Sequence, residues 1–88
     1  MEYGDIQHYR FVIRSELLNY KMAIQRYQER KDTWKNPNTC KKYLEIMETS
    51  AKLVGDAITL LKSNRVPLEE KLIARYELYK RIHATLID

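Results

Sequence analysis

The chain has 88 residues, of which 44% are hydrophobic and 32% charged, and it carries a net charge of +4. This composition suits one folded domain spanning residues 1–88 and excludes extensive disorder, while only two glycines and two prolines favour long helices over strands with tight turns. So short a chain has little material for both a core and a catalytic cleft, and its single cysteine, Cys40, excludes an internal disulfide.

The first predicted helix runs from about Asp5 to Thr33, with Asp5 as its N-cap. Apolar residues recur along it at alternating steps of four and three. This spacing is typical of a helix that packs lengthwise against another helix. The residues of this run are Ile13, Leu17, Tyr20, Ile24 and Tyr27.

A second helix is predicted from about Pro37 to Ser63, because proline disfavours helical geometry in the preceding residue and fits the first position of a new helix. It repeats the four-and-three spacing, with Gly55 inside it. A glycine there lowers helix stability, so we expect it to allow the close approach of a neighbouring helix. The apolar run comprises Cys40, Leu44, Met47, Ala51, Val54, Ile58 and Leu61.

After a break at residues 63–67, a third helix is predicted over about residues 67–86. Arg75 interrupts its apolar face. The guanidinium either extends past a narrow core to solvent or is paired inside the core with Glu16, assisted by the Tyr20 hydroxyl. The apolar face comprises Leu68, Leu72, Tyr76, Tyr79, Ile82 and Leu86.

Short connections place successive helices antiparallel. We therefore predict an all-α fold, an antiparallel up-down-up three-helix bundle with coiled-coil-like packing. The alternative is an open helical hairpin whose third helix packs on another subunit. No apolar stretch approaches the roughly 20 residues of a membrane span, and the polar start lacks a signal-peptide pattern. We therefore expect a cytoplasmic protein that does not insert into a membrane.

Two surfaces are candidates for function, and the first is a cluster of cations around the predicted turn between the first two helices. Cations beside aromatic rings suit phosphates and unpaired bases, or an acidic protein partner. The alternative is a solvated end of the bundle whose aromatic residues belong to the core. We call this cluster the basic turn, and its residues are Arg30, Lys31, Trp34, Lys35, Lys41 and Lys42.

The second candidate is an apolar strip on the first helix, formed by Phe11, Leu18 and Met22 and interrupted by Arg14. A three-helix bundle covers one broad stripe on each helix. A further exposed strip would bind a partner helix, and a second copy of the chain is the natural partner. The alternative is a core wide enough to cover both strips.

No pattern in the sequence is typical of catalysis or of cofactor or metal binding. His8 and His83 fall towards opposite ends of the predicted bundle, no Cys or His pair has zinc-ligand spacing, and no glycine-rich phosphate loop occurs. We therefore predict a non-enzymatic interaction module, without cofactor or metal, that acts as a regulator, adaptor or assembly factor. Its expected partner is another protein or itself. The alternative function is nucleic-acid binding at the basic turn.

Overall fold

The computed structural model describes residues 2–30 and 37–87, and it contains three α-helices in these ranges. They are α1 (Tyr3–Arg30), α2 (Pro37–Ser63) and α3 (Glu70–Leu86). α1 and α2 pack antiparallel, and α3 runs back beside both of them. The prediction of an all-α up-down-up bundle is confirmed, and the molecule is elongated, measuring 48 by 20 by 16 Å.

The core lies between α1 and α2. The four-and-three apolar runs supply most of its fully buried side chains, because the two runs face each other along the helix pair. α3 contributes no fully buried residue, and most of its apolar side chains are half-buried against both halves of the core. α3 therefore covers one side of the α1–α2 pair. The buried apolar residues are Ile13, Leu17, Tyr20, Ala23, Ile24, Met47, Val54, Ala57, Ile58 and Leu61.

Gly55 lies where α3 comes close to α2. The Tyr76 hydroxyl on α3 donates a hydrogen bond of 3.0 Å to the backbone carbonyl of Ala51 on α2. The same hydroxyl oxygen would lie only 2.6 Å from a Cβ atom at position 55. Only side-chain atoms of Tyr76 lie within 4 Å of that Cβ position, so Gly55 makes room for this hydroxyl and not for a close approach of the two helix backbones.

α1 begins at Tyr3, two residues before the predicted start. Asp5 therefore lies within the first turn instead of capping the helix, and its carboxylate accepts a hydrogen bond of 3.4 Å from the backbone N–H of Glu2. An acidic side chain there still lies near the positive end of the helix dipole. The predicted end of the helix at Thr33 lies outside the described residues.

α3 begins at Glu70, three residues after the predicted start at Pro67. The chain is not helical from Val66 to Glu69. In this segment Val66 and Leu68 are half-buried against the core, while Pro67 between them is exposed. An extended chain turns alternate residues to one side, so burying both side chains outweighs the preference of proline for the first helical position.

Arg75 is exposed, as expected for a guanidinium that extends past the core to solvent, and the alternative of a pairing inside the core is wrong. The carboxylate of Glu16 instead accepts hydrogen bonds from the Ser50 hydroxyl at 3.0 Å and from the Asn19 amide at 3.4 Å. Because Glu16 is occupied across the α1–α2 interface, the Arg75 guanidinium extends to solvent from the edge of α3.

Candidate interaction surfaces

The apolar strip of α1 is exposed to solvent. The exposed fraction is 68% for Phe11, 57% for Leu18 and 38% for Met22. At about 100° of rotation per residue, these side chains share one side of α1, roughly opposite the buried Ile13 and Tyr20. We call these three residues the outer face of α1. The alternative that the bundle core covers them is wrong, because α2 and α3 pack only on the other side.

Arg14 lies within the outer face, between Phe11 and Leu18. Its guanidinium forms an ion pair with the carboxylate of Glu69, in the segment before α3. Both side chains are more than half exposed, so this pair contributes little to stability. The pair does hold the charge of Arg14 on the side of α1 next to α3, and it leaves both apolar neighbours uncovered.

A groove of about 230 Å³ lies beside the outer face, between α1 and α3. The half-buried side chains of Leu72 and Tyr79 line it from α3. Leu18 and Lys21 line it from α1, and Arg75 faces them from α3. Lys21 and Arg75 are both exposed. Arg14 also lines the groove, which therefore combines apolar walls with three cations, one of them paired with Glu69.

The basic turn lies only partly within the described residues. Arg30 is exposed at the end of α1, and Lys41 and Lys42 are exposed in the first turns of α2. These three cations lie at one end of the bundle because the α1–α2 pair is antiparallel. The remaining members of the basic turn lie outside the described residues: Lys31, Trp34 and Lys35.

The C-terminal end of α3 reaches the same end of the bundle. Lys41 from α2, together with His83 and Ile87 from the third helix and its end, lines a pocket of about 360 Å³. Glu45 and Glu48 line the same pocket. The carboxylates reduce the positive potential at this end of the molecule, which weakens its attraction for phosphates.

A tyrosine–histidine pair joins α1 to α3 near this end. Tyr20 is fully buried, and its hydroxyl oxygen lies 2.8 Å from Nδ1 of His83. Burial raises the pKa of Tyr20 to about 12, with a further contribution from Tyr76. Burial lowers the pKa of His83, and the nearby Glu48 carboxylate opposes that shift. Both side chains are therefore uncharged at neutral pH.

The sequence interpretation did not identify this pair, although it placed Tyr20 in the core. His83 follows Tyr76 and Tyr79 at seven and four residues, so all three share one side of α3. That spacing was the available signal for a histidine in contact with α1. The other ring nitrogen of His83, Nε2, is buried without a hydrogen-bond partner among the described residues.

The described residues contain no group of three or more His, Cys, Asp or Glu side chains placed to hold a metal ion. In the same part of the chain, no helix has the length and apolar character needed to cross a membrane. Comparison with protein-family models, curated proteins and solved structures finds no match to this chain.

Proposed function

We propose that this chain is a small, non-enzymatic helical interaction module that binds its partner through the outer face of α1. The partner is another protein or a second copy of the chain, and the module acts as a regulator, adaptor or assembly factor. Its single cysteine, Cys40, suits a reducing cytoplasmic location. The observation that carries the proposal is the exposure of Phe11, Leu18 and Met22 on the side of α1 that the bundle leaves uncovered.

The energetic argument rests on apolar area. Fully burying an exposed Phe, Leu or Met side chain is worth about 1.5–3 kcal/mol. Phe11, Leu18 and Met22 follow one side of α1 over about three turns. A partner helix lying along α1 would cover all of them together, which is the usual way in which an amphipathic helix is recognised.

Self-association is tested by sedimentation velocity over a range of protein concentrations. If a second copy is the partner, the wild type forms dimers and Leu18→Glu remains monomeric, because a carboxylate cannot be buried without a partner. Leu53→Glu is the matched control, since Leu53 is an exposed leucine on α2. Dimers that persist in Leu18→Glu would exclude the outer face as the contact between copies.

Binding to another protein is tested by selecting helical peptides from a display library against the wild type. We expect the selected peptides to lose roughly tenfold or more in affinity for Leu18→Glu and to bind Leu53→Glu normally. The proposal fails if the wild type stays monomeric and the selected peptides bind both variants equally well.

Nucleic-acid binding at the basic turn is the alternative function. It is favoured by the exposure of Lys41 and Lys42 at the end of the bundle that α3 also reaches. Fluorescence anisotropy with labelled single- and double-stranded DNA and RNA tests it, comparing the wild type with a Lys35/Lys41/Lys42 triple alanine variant. Affinity that falls steeply with salt and disappears in the variant would support this function, because bound cations release counterions from phosphates. Negligible binding at physiological salt would exclude it.

A further inference from the structure

The edge of the bundle between α1 and α3 is cationic as well as apolar. Lys21 on α1 and Arg75 on α3 line the groove there, next to the exposed Leu18. Lys71, Arg75 and Leu78 follow one another on α3 at steps of four and three, so they share one side of that helix. All three are exposed. α1 and α3 therefore each present exposed cations and an exposed leucine: Leu18 on α1 and Leu78 on α3.

Carboxylates do not balance these cations within the described residues. Glu69 is the nearby acid, and it is already paired with Arg14. Lys21, Lys71 and Arg75 form no ion pair within that part of the chain. The groove therefore carries an excess of positive charge that runs alongside the outer face of α1.

This charge disfavours a second copy of the chain as the partner. In a two-fold dimer with antiparallel α1 helices, the edge of α1 next to α3 lies on the same side of the dimer in both copies. Lys21 and Arg75 of both copies would then line a single edge and repel each other. A parallel pair would place the two α1 dipoles side by side in the same direction, which is also unfavourable.

We propose that the outer face of α1 binds an acidic amphipathic helix of another protein. Its apolar residues cover Phe11, Leu18 and Met22, and its carboxylates face Lys21 and Arg75 across the groove. This inference rests on the proposed function and selects between the two partners named there. The apolar contacts supply most of the affinity, while the exposed charge pairs accelerate association and set its orientation.

Two designed peptides test the proposal. Both are about 20 residues long, held helical by a side-chain lactam, and carry the same leucine stripe. One has glutamates along one flank of the stripe, and the other has lysines at the same positions. We expect the glutamate peptide to bind the wild type roughly tenfold more tightly at low salt, with a preference that shrinks as salt is added.

The decisive variant is Lys21→Glu/Arg75→Glu, in which the preference should reverse towards the lysine peptide. Both residues are exposed, and circular dichroism verifies that the helices are retained. The control is Lys52→Glu/Lys62→Glu, which changes the net charge equally at exposed positions on α2. In this control the glutamate peptide should keep its preference.

Other outcomes overturn the inference in distinguishable ways. Equal binding of both peptides, with loss of binding in Leu18→Glu, would refute an acidic partner and retain the outer face as an interaction surface. Dimers disrupted by Leu18→Glu, without peptide binding, would identify a second copy as the partner. Single-stranded DNA bound by the wild type and lost in Lys21→Glu/Arg75→Glu would make nucleic acid the occupant. A monomer that binds neither peptide would refute both the inference and the proposed function.

Discussion

At Gly55, a hydroxyl group occupies the space that a side chain would need. A Cβ at this position would lie 2.6 Å from the Tyr76 hydroxyl oxygen but 3.6 Å from Cζ of the same ring. The hydroxyl is held by its hydrogen bond to the Ala51 carbonyl. The clash therefore involves only one oxygen atom. Removing that oxygen separates the steric cost of a side chain at position 55 from the lower helix propensity of glycine.

We predict that Gly55→Ala is more favourable by about 1 kcal/mol in a Tyr76→Phe background than in the wild type. In the wild type, the gain of about 1 kcal/mol in helix propensity is offset by displacement of Tyr76 and loss of its hydrogen bond. Without the hydroxyl, the methyl group meets only Cζ at an ordinary contact distance. Urea unfolding of the two single variants and the double variant measures this coupling. Equal effects of Gly55→Ala in both backgrounds would show that the close approach has no energetic consequence.

His83 should make the stability of the fold depend on pH. Burial lowers its pKa below the ordinary value of 6.5, with partial opposition from Glu48. Tyr20 faces it from α1 and is itself uncharged. Well above pH 6.5 the histidine is neutral in both folded and unfolded chains. As the pH falls below 6.5, the unfolded chain binds the proton first, so stability is lost until the pH passes the lowered folded pKa.

We therefore expect the urea midpoint of the wild type to fall between about pH 7.5 and pH 5, and to fall less in His83→Phe. His83→Phe also removes the hydrogen bond to Tyr20, so its stability at high pH is lower, and the comparison concerns only the pH dependence. His8→Gln is the control, because it also removes one histidine, at an exposed position, and leaves the contact between Tyr20 and His83 in place. Parallel curves for wild type and His83→Phe would contradict the prediction.

The end of α2 depends on a residue in a strained backbone conformation. Arg65 has a φ angle of 58°, in the left-handed region that favours glycine. Its N–H donates to the Lys62 carbonyl, and the Val66 N–H donates to the Leu61 carbonyl, both at 3.0 Å. These two bonds define a Schellman motif, and Val66 and Leu61 pack in the same core cluster.

We predict that Arg65→Gly stabilises the protein by about 0.5–1 kcal/mol, because relief of left-handed strain exceeds the larger unfolded-state entropy of glycine. Thermal and urea unfolding measure the change. Ser63→Gly is the matched control, since position 63 has no positive φ and a glycine there should destabilise α2. Destabilisation by Arg65→Gly would indicate that the Arg65 side chain makes a larger contribution than the strain at its backbone.

For the helices and their contacts, what the sequence could predict depends on how local the signal is. The α1–α2 interface was predictable because every turn of both helices repeats the same requirement for burial. The start of α3 was not, because it depends on burying Val66 and Leu68 against distant segments. The contact between Tyr20 and His83 joins residues 63 positions apart, and spacing along one helix does not reveal such a partner. The outer face of α1 was visible as a second strip, but its exposure depends on where α3 lies.

The three helices contribute unequally to the buried core of the bundle. α1 and α2 bury a continuous core between them, whereas α3 has no fully buried residue and rests on one side of the pair. α3 covers one flank of the α1–α2 pair, and the outer face lies on the side of α1 opposite its buried residues. This arrangement leaves the outer face of α1 uncovered, and it places the candidate groove at the edge of the least buried helix.

We predict that α3 opens more easily than the α1–α2 pair, because the free energy of local opening follows the apolar area that a segment buries. Native-state hydrogen exchange should give lower opening free energies for the central amides of α3 than for those near Leu17 and Val54. Leu72→Ala should lower the values in α3 alone, since Leu72 is half-buried on that helix. Val54→Ala, within the fully buried core, should lower the values in all three helices. If α3 is protected as strongly as α1 and α2, and both variants act on all three helices, the bundle unfolds as one unit. The groove edge would then be as rigid as the core, and a partner would find it already formed.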